Sequence, residues 1–251
     1  MFRIGLATLV VLALAAPANS EPRALPREVD PLPLAGRVVV IDPGHQLGNA
    51  NHPREISRLV DAGGFMKPCN TTGTATNGGF PEATFAFRVA KRLRARLERL
   101  GATVVMTRQR NSLDLWGPCV DRRGRWGNDR ADLKLSLHGD GASAGARGFH
   151  LIVTTKRPGF RKASTSFAKV VRGTLQDAGF RRSTYIGGGT ALSFRSDLGT
   201  LNLSRMPTVM AELGNMRNAK DARAMSSTRG QARYARALAK AVKSFLGEQS
   251  R

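Results

Sequence analysis

The chain has 251 residues, 41% of them hydrophobic and 23% charged, a balance that suits one sizeable globular domain and argues against an extended, disordered or repeat architecture. Lys and Arg number 40 against 18 acids, a formal charge of +22, and residues 147–251 alone carry 20 basic and 5 acidic residues. A field of that sign attracts polyanions. With only 6% aromatic residues there is little to stack on bases, which together with the export signal described next argues against nucleic acid as partner.

In chain order, a short basic start (Met1-Phe2-Arg3) runs into the apolar stretch IGLATLVVLALAA at residues 4–16, followed by small residues around Ala18 and Ser20. This is the pattern of a secretory signal peptide over residues 1–20, and implies export to a periplasm, cell wall or exterior. No later segment is apolar enough to cross a bilayer. Residues 21–35 hold four prolines and are expected to be an extended lead-in to a single domain over residues 36–248.

Arg37–Asp42 (RVVVID) is a buried strand that stops at Pro43-Gly44-His45. Residues 43–81 form a long polar stretch with three glycine clusters, of the length that is either disordered or functional. From Glu82, apolar residues at 85, 89, 93, 97 and 100 recur at helical spacing and Gly101 ends the helix. Residues 102–107 (ATVVMT) are a strand, 119–131 a short polar helix, 133–138 (LKLSLH) and 148–154 (GFHLIVT) strands. A helix over 164–178 stops at Gly179, a glycine-rich loop YIGGGT follows, 207–213 (PTVMAEL) is a strand, and 228–246 a last amphipathic helix. Alternating strands and helices predict an α/β fold: a twisted, mostly parallel sheet with helices on both faces.

In such sheets function gathers at the carboxyl ends of the strands. His45 follows the first strand, His138 closes LKLSLH, Glu212 closes PTVMAEL, and Glu82 opens a helix at the same edge. Two imidazoles and a carboxylate suit a catalytic zinc, and a second carboxylate can then move protons. Each has an alternative: His45 as a turn residue, His138 as a packed histidine, Glu82 as a favourable helix N-terminal charge. Glu212 is the hardest to dismiss, because a carboxylate following VMA in a central strand is costly to bury without a partner. His52 reads as a solvated loop residue and His150 as a packed strand histidine. Two cysteines in an exported chain, Cys69 and Cys119, are most simply a disulfide.

Four motifs, VVVIDPGH, Glu82 after a glycine-rich stretch, RADLKLSLHGDG and PTVMAELGNMRNAKD, together resemble the zinc-dependent N-acetylmuramoyl-L-alanine amidases of the Amidase_3 family. The likeness spans residues 37–246 and is greatest to the exported single-domain mycobacterial members. It implies Zn2+ held by His45, Glu82 and His138, and Glu212 as the catalytic carboxylate. The reaction implied is hydrolysis of the amide between N-acetylmuramic acid and L-alanine in peptidoglycan or muropeptides. Where the family usually shows a second glycine this chain has Gln46, and Gly139-Asp140 replaces its usual Ala-Asn, which bears on nearby substrate contacts. The segment DLGTLN (197–202) stands at a substrate-side loop of the family, which makes Arg195 and Asn202 candidate substrate contacts. Nothing demands more than a monomer. The rival readings are a zinc carboxypeptidase-like peptidase and a non-catalytic cationic wall-binding protein that uses the basic surface to hold anionic polymers.

Overall fold

A computed structural model describes residues 1–2 and 31–248. The predicted signal peptide and most of the lead-in therefore lie outside the described residues. The lead-in meets the domain before residue 36: Leu34 is buried and its N–H donates to the carbonyl of Leu100 (2.8 Å).

The elements run β1 (Val38–Pro43), α1 (Pro53–Ser57), β2 (Leu59–Asp61), β3 (Met66–Pro68), α2 (Glu82–Arg99), β4 (Thr103–Met106), α3 (Val120–Arg125) and β5 (Leu133–Asp140). They continue with β6 (His150–Thr154), α4 (Pro158–Asp177), β7 (Leu192–Arg195), α5 (Gly199–Asn202), β8 (Thr208–Asn215), α6 (Ala219–Ser226) and α7 (Thr228–Glu248). Six strands form one sheet in the order β4-β1-β5-β8-β6-β7. The first four are parallel; β6 runs antiparallel to β8, and β7 parallel to β6. The α/β sheet is thus mostly parallel, with a reversed pair at one edge.

Because successive strand residues face opposite ways, each strand serves two environments. Ile41, Leu133, Leu135, Leu137, Val209 and Leu213 face one side and join the main core. That core is completed by α2, α4 and α7, whose buried residues recur every three or four positions, such as Phe85, Val89, Leu93 and Leu97. Each such fully buried side chain stabilises the fold by roughly 1.5–3 kcal/mol relative to exposure. The intervening residues, among them Asp42, Lys134, Ser136, Thr208 and Glu212, face the other side. Among the described residues the apolar cluster there is small, Ile152 and Met210 with Leu201 of α5. Long helices therefore cover one face and short ones the other.

Helix ends follow local chemistry. At the end of α2, Gly101 takes φ +96°, and the N–H groups of Gly101 and Ala102 return to the carbonyls of Glu98 and Leu97. This double capping pattern needs a left-handed residue, which glycine adopts without strain. Gly179 and Phe180 repeat it after α4, with bonds to Gln176 and Leu175. Several boundaries differ from the sequence reading. The fourth helix begins at Pro158 rather than 164, since Pro at the first helical position starts a helix well. The helix expected over 119–131 ends at Arg125. The long polar stretch holds α1 and the β2–β3 hairpin. Helix α6 was not expected; its signal is Asn218, whose side chain accepts from the N–H groups of Lys220 and Asp221.

Candidate functional site

Strand β1 delivers its last residues to the carboxyl edge of the sheet, where the N–H of Gly44 still donates to Leu137 (2.9 Å). A side chain at residue 44 would collide with the imidazole of His138, its Cβ falling 2.4 Å from the ring. Glycine at 44 is thus required by the close approach of a second site residue. His45 then turns with φ +55°, a left-handed conformation uncommon outside glycine. Such strain persists only when the surroundings over-determine it.

Two buried arginines supply that constraint. Arg123 donates to the carbonyls of Pro43 (2.8 Å), His45 (2.7 Å), Gly117 (3.2 Å) and Pro118 (2.9 Å), and to the carboxylate of Asp42 (2.6 Å). Arg108 donates to the carbonyls of Pro43, Gly44 and Arg110, to Asn111, and to Ala83 in the first turn of α2. One guanidinium therefore ties the His45 turn to the helix that carries Glu82. Asp42 also accepts from Thr107 (2.5 Å) and Ser136 (2.7 Å). Burial raises the Asp42 carboxyl, but Arg123 and the two hydroxyls outweigh it and hold the group well below the usual carboxylate range. Beside them Lys134, fully buried, donates to the carbonyls of Arg123 and Gly124 and to Ser204. Burial drives its ammonium down to about 8.

Three of the four sequence-predicted residues meet closely. Nε2 of His45 lies 3.1 Å and Nδ1 of His138 2.9 Å from the same oxygen of Glu82. The two rings stand nearly perpendicular, centroids 5.0 Å apart. The other Glu82 oxygen accepts from the N–H of Thr74 (2.9 Å), which fixes the carboxylate plane. Nδ1 of His45 is 3.0 Å from the carbonyl of Thr71. A carbonyl can only accept, so Nδ1 keeps its proton, and Nε2, facing the Glu82 carboxylate, is the nitrogen that can give up a proton to offer a lone pair. Burial lowers the basicity of His45, yet the charge and hydrogen bond of Glu82 prevail and raise it. Burial likewise raises Glu82, and the two imidazoles pull it to a net value well below normal.

One ligand atom from each of the three lies within 4.8 Å of the others. Donors bonded to one tetrahedral ion at about 2.0–2.1 Å are roughly 3.3 Å apart, so the cluster fits a small divalent cation with little movement. Nitrogen and carboxylate donors together suit zinc.

Glu212 sits inside β8 rather than at its end, opposite His138 on β5 and opposite His150 on β6. Burial first, then the neighbouring Glu82 and Asp140, push its carboxyl well above the usual range, with Arg195 opposing. Its Oε2 is buried without a hydrogen-bond partner. Together with His45 and His138 it lines a cavity of about 240 Å³, walled also by Lys67, Thr71 and Leu198. Cys69 and Cys119 form a disulfide. It joins the segments that carry Asn70 and Val120, both in the cavity wall. A crosslink over 50 residues stabilises by about 4 kcal/mol on the chain-entropy view.

The two candidate substrate contacts lie elsewhere. Arg195 is exposed at the end of β7 and forks onto Asp197 (2.8 and 2.7 Å), which itself faces the cavity. Asn202 is buried at 2% exposure and off the cavity wall. Its amide donates to the carbonyls of Ala62 and Ser196 (2.8 Å each) and accepts from Thr154 (2.6 Å). With its polar atoms engaged, it acts as a strut between the β2–β3 hairpin and the loop after β7. His52 is half-buried beside Glu55, and His150 is buried with its ring edge-on to Tyr185. Sequence reasoning missed Asp42, Arg108, Arg123 and Lys134. The arginines carried no distinguishing signal among so many, whereas Lys134 and Asp42, breaking apolar strands, did.

A mostly parallel sheet whose carboxyl edge gathers two imidazoles, the Glu82 carboxylate and a second, buried carboxylate has the arrangement of a hydrolase. Residues 39–244 match the Amidase_3 family model, described as N-acetylmuramoyl-L-alanine amidase, and the chain belongs to that family. It is 40% identical over 244 residues to the N-acetylmuramoyl-L-alanine amidase Rv3717 of Mycobacterium tuberculosis, covering 96% of this chain and 97% of that one. Its structure is similar to the amidase Ami1 of Mycobacterium smegmatis (TM-score 0.81, 39% identity, 86% of this chain and 99% of that one). The Ami1 of Mycobacterium abscessus matches with a TM-score of 0.79 at 40% identity, over 84% of this chain and 99% of that one.

Proposed function

We propose that this amidase hydrolyses the amide between the lactyl group of N-acetylmuramic acid and the L-alanine of the stem peptide, in peptidoglycan or its fragments, with zinc as cofactor. The observation that carries this is the convergence of His45, Glu82 and His138 on one point, with Glu212 lining the same cavity as the two histidines. Zinc held by the first three supplies Lewis acidity, polarising the scissile carbonyl and making water a stronger acid.

The chain's own residues do the rest. Thr71 keeps His45 in the tautomer that leaves Nε2 free, and Thr74 keeps one oxygen of Glu82 turned into the cluster. Glu212 accepts the proton of the attacking water at a carboxylate oxygen and returns it to the departing alanine nitrogen. Its ionised form is disfavoured by burial and by Glu82. A cation held by His45, Glu82 and His138 would favour the ionised form, since an opposite charge nearby stabilises a carboxylate. Lys67 in the cavity wall, with Asp197 beside it, suits a peptide bearing carboxylates.

The disulfide supports an exported protein, because such bonds persist in oxidising compartments. Arg195 acts indirectly, by aligning Asp197 at the cavity. The enzyme acts as a monomer.

The test is digestion of purified muropeptides, analysed by mass, with metal content measured alongside. Wild type is expected to carry one zinc and to release intact stem peptides with an L-alanine N-terminus; Glu212→Ala should keep the metal and release none. Trimming of the stem instead would establish the carboxypeptidase-like alternative. Wall binding without cleavage by wild type would establish a non-catalytic wall-binding role.

A further inference from the structure

The side of the molecule away from the cavity carries an unusual charge arrangement. In α7, every exposed position from 229 to 243 is a cation: Arg229, Arg233, Arg236, Lys240 and Lys243. The spacing of four, three, four, three puts them on one stripe along the helix. They extend over about 21 Å, one charge roughly every 5–6 Å. The helix has no acid before Glu248 at its end.

Helix α2, which packs beside α7, adds to the stripe. Arg96 and Arg99 line a shallow groove opposite Lys240 and Lys243, with Leu100 and Ala239 as the remaining lining. The Arg96 guanidinium is held below its ordinary value by burial and then by the like charges of Arg236 and Arg99. Compensation is sparse: Lys240 pairs with Asp177 at 3.4 Å, and Arg94 with Glu98 on α2. Among the described residues, Arg229, Arg236 and Lys243 have no carboxylate within ion-pair distance. On the cavity side, by comparison, Arg125, Lys67 and Arg195 are each matched by aspartates.

We infer that the α2–α7 face is a binding surface for a linear polyanion bearing phosphate groups along its length. A row of evenly spaced cations, most of them unmatched, tracks a chain of regularly spaced anions, and the groove between the helices gives it a course. A bilayer fits less well. Surface-seated helices bury Trp, Phe or Leu into lipid, and no large exposed apolar residue of the described chain lies on α2 or α7. Since this face is across the sheet from Glu212, a polymer held here leaves the cavity open, and the enzyme is tethered without being blocked. The assignment does not depend on the amidase chemistry.

The test uses the full-length mature protein and long-chain inorganic polyphosphate as probe. Binding is measured by titration at rising salt, with phosphatidylglycerol–phosphatidylcholine vesicles as the second arm. Wild type should bind polyphosphate in preference to vesicles, with affinity falling as salt screens the charges. The variant Arg229→Gln/Arg236→Gln/Lys243→Gln should lose about tenfold or more of that affinity. A control, Arg54→Gln/Arg205→Gln/Lys220→Gln, removes the same charge from exposed sites elsewhere and should bind nearly as well as wild type. Thermal melting and cleavage of a soluble muropeptide should be unchanged in both variants. Equal losses in the two variants would reduce the surface to net charge alone and overturn the assignment, as would preference for vesicles. Failure of muropeptide cleavage in wild type would count against the amidase reading only.

Discussion

The two faces of the sheet are made by the same strands yet held by different physics. On the helix-covered face, Leu133, Leu135 and Leu137 alternate into a core of α2, α4 and α7. Its stability comes from area removed from water, and one aliphatic residue can stand for another at modest cost. On the opposite face, Lys134 and Ser136 from the same strand enter a buried network with Asp42 and Arg123. There each polar atom must find its partner, because an unpaired buried charge is expensive. The apolar face holds the sheet together; the polar face aims the histidines and carboxylates. Buried charge so near a reactive centre is a positioning device, since saturated hydrogen bonds tolerate few alternative geometries.

The contrast can be broken most sharply at the site. Glu212→Gln is expected to lower cleavage by about 10²–10⁴-fold while metal content and melting temperature hold, read by muropeptide assay and calorimetry. If melting fell in step with activity, Glu212 would belong to the structural network instead. Next, Arg123→Ala should cost about 3–5 kcal/mol by leaving Asp42 unpaired, and should also weaken metal binding by freeing the His45 turn. Denaturant titration and metal competition measure the two effects separately. Leu135→Ala should cost about 2–5 kcal/mol as a cavity, with metal affinity unchanged. Equal loss of metal affinity in both variants would erase the distinction between the faces.

Smaller effects sharpen it. Asn202→Ala should cost about 1–3 kcal/mol through the unsatisfied carbonyls of Ala62 and Ser196, seen by hydrogen exchange in the β2–β3 hairpin. The polar face should also make stability depend on pH in a predictable direction. Asp42 has a depressed folded value, so its contribution is whole above the ordinary carboxylate range and is lost as pH falls below about 4. Lys134 titrates at about 8 when folded and near 10.5 when unfolded. Between those values the unfolded chain binds the extra proton, so stability should rise with pH across that window. Denaturation of Asp42→Asn and Lys134→Met across pH should flatten the respective slopes.

Much of this was legible beforehand for identifiable reasons. His45, His138 and Glu212 stand out because polar residues towards the ends of apolar strands need a purpose, and Glu82 because it opens a helix at the edge those strand ends share. The long helices were legible from period and from Gly101 and Gly179 as stops. Strand β7 was not read at all, and the reversal of β6 was not legible, because a short apolar run carries no mark of its direction. Nor were Arg108 and Arg123, indistinguishable from surface arginines in a chain with 40 basic residues. Asn202 fell in a motif that suggested substrate, yet its amide serves the backbone.

The amino-acid order alone determined where the main strands and the long helices lie, the alternation that separates apolar from polar residues, and the residue types able to hold zinc. These follow from local sterics and side-chain period, which act over a few residues. Only the tertiary structure decided that one oxygen of Glu82 faces both imidazoles, that two guanidiniums hold the His45 turn, and that the unmatched cations of α2 and α7 share one surface. Those are contacts between residues dozens of positions apart, and their energy depends on distance and burial, which exist only once the chain has folded.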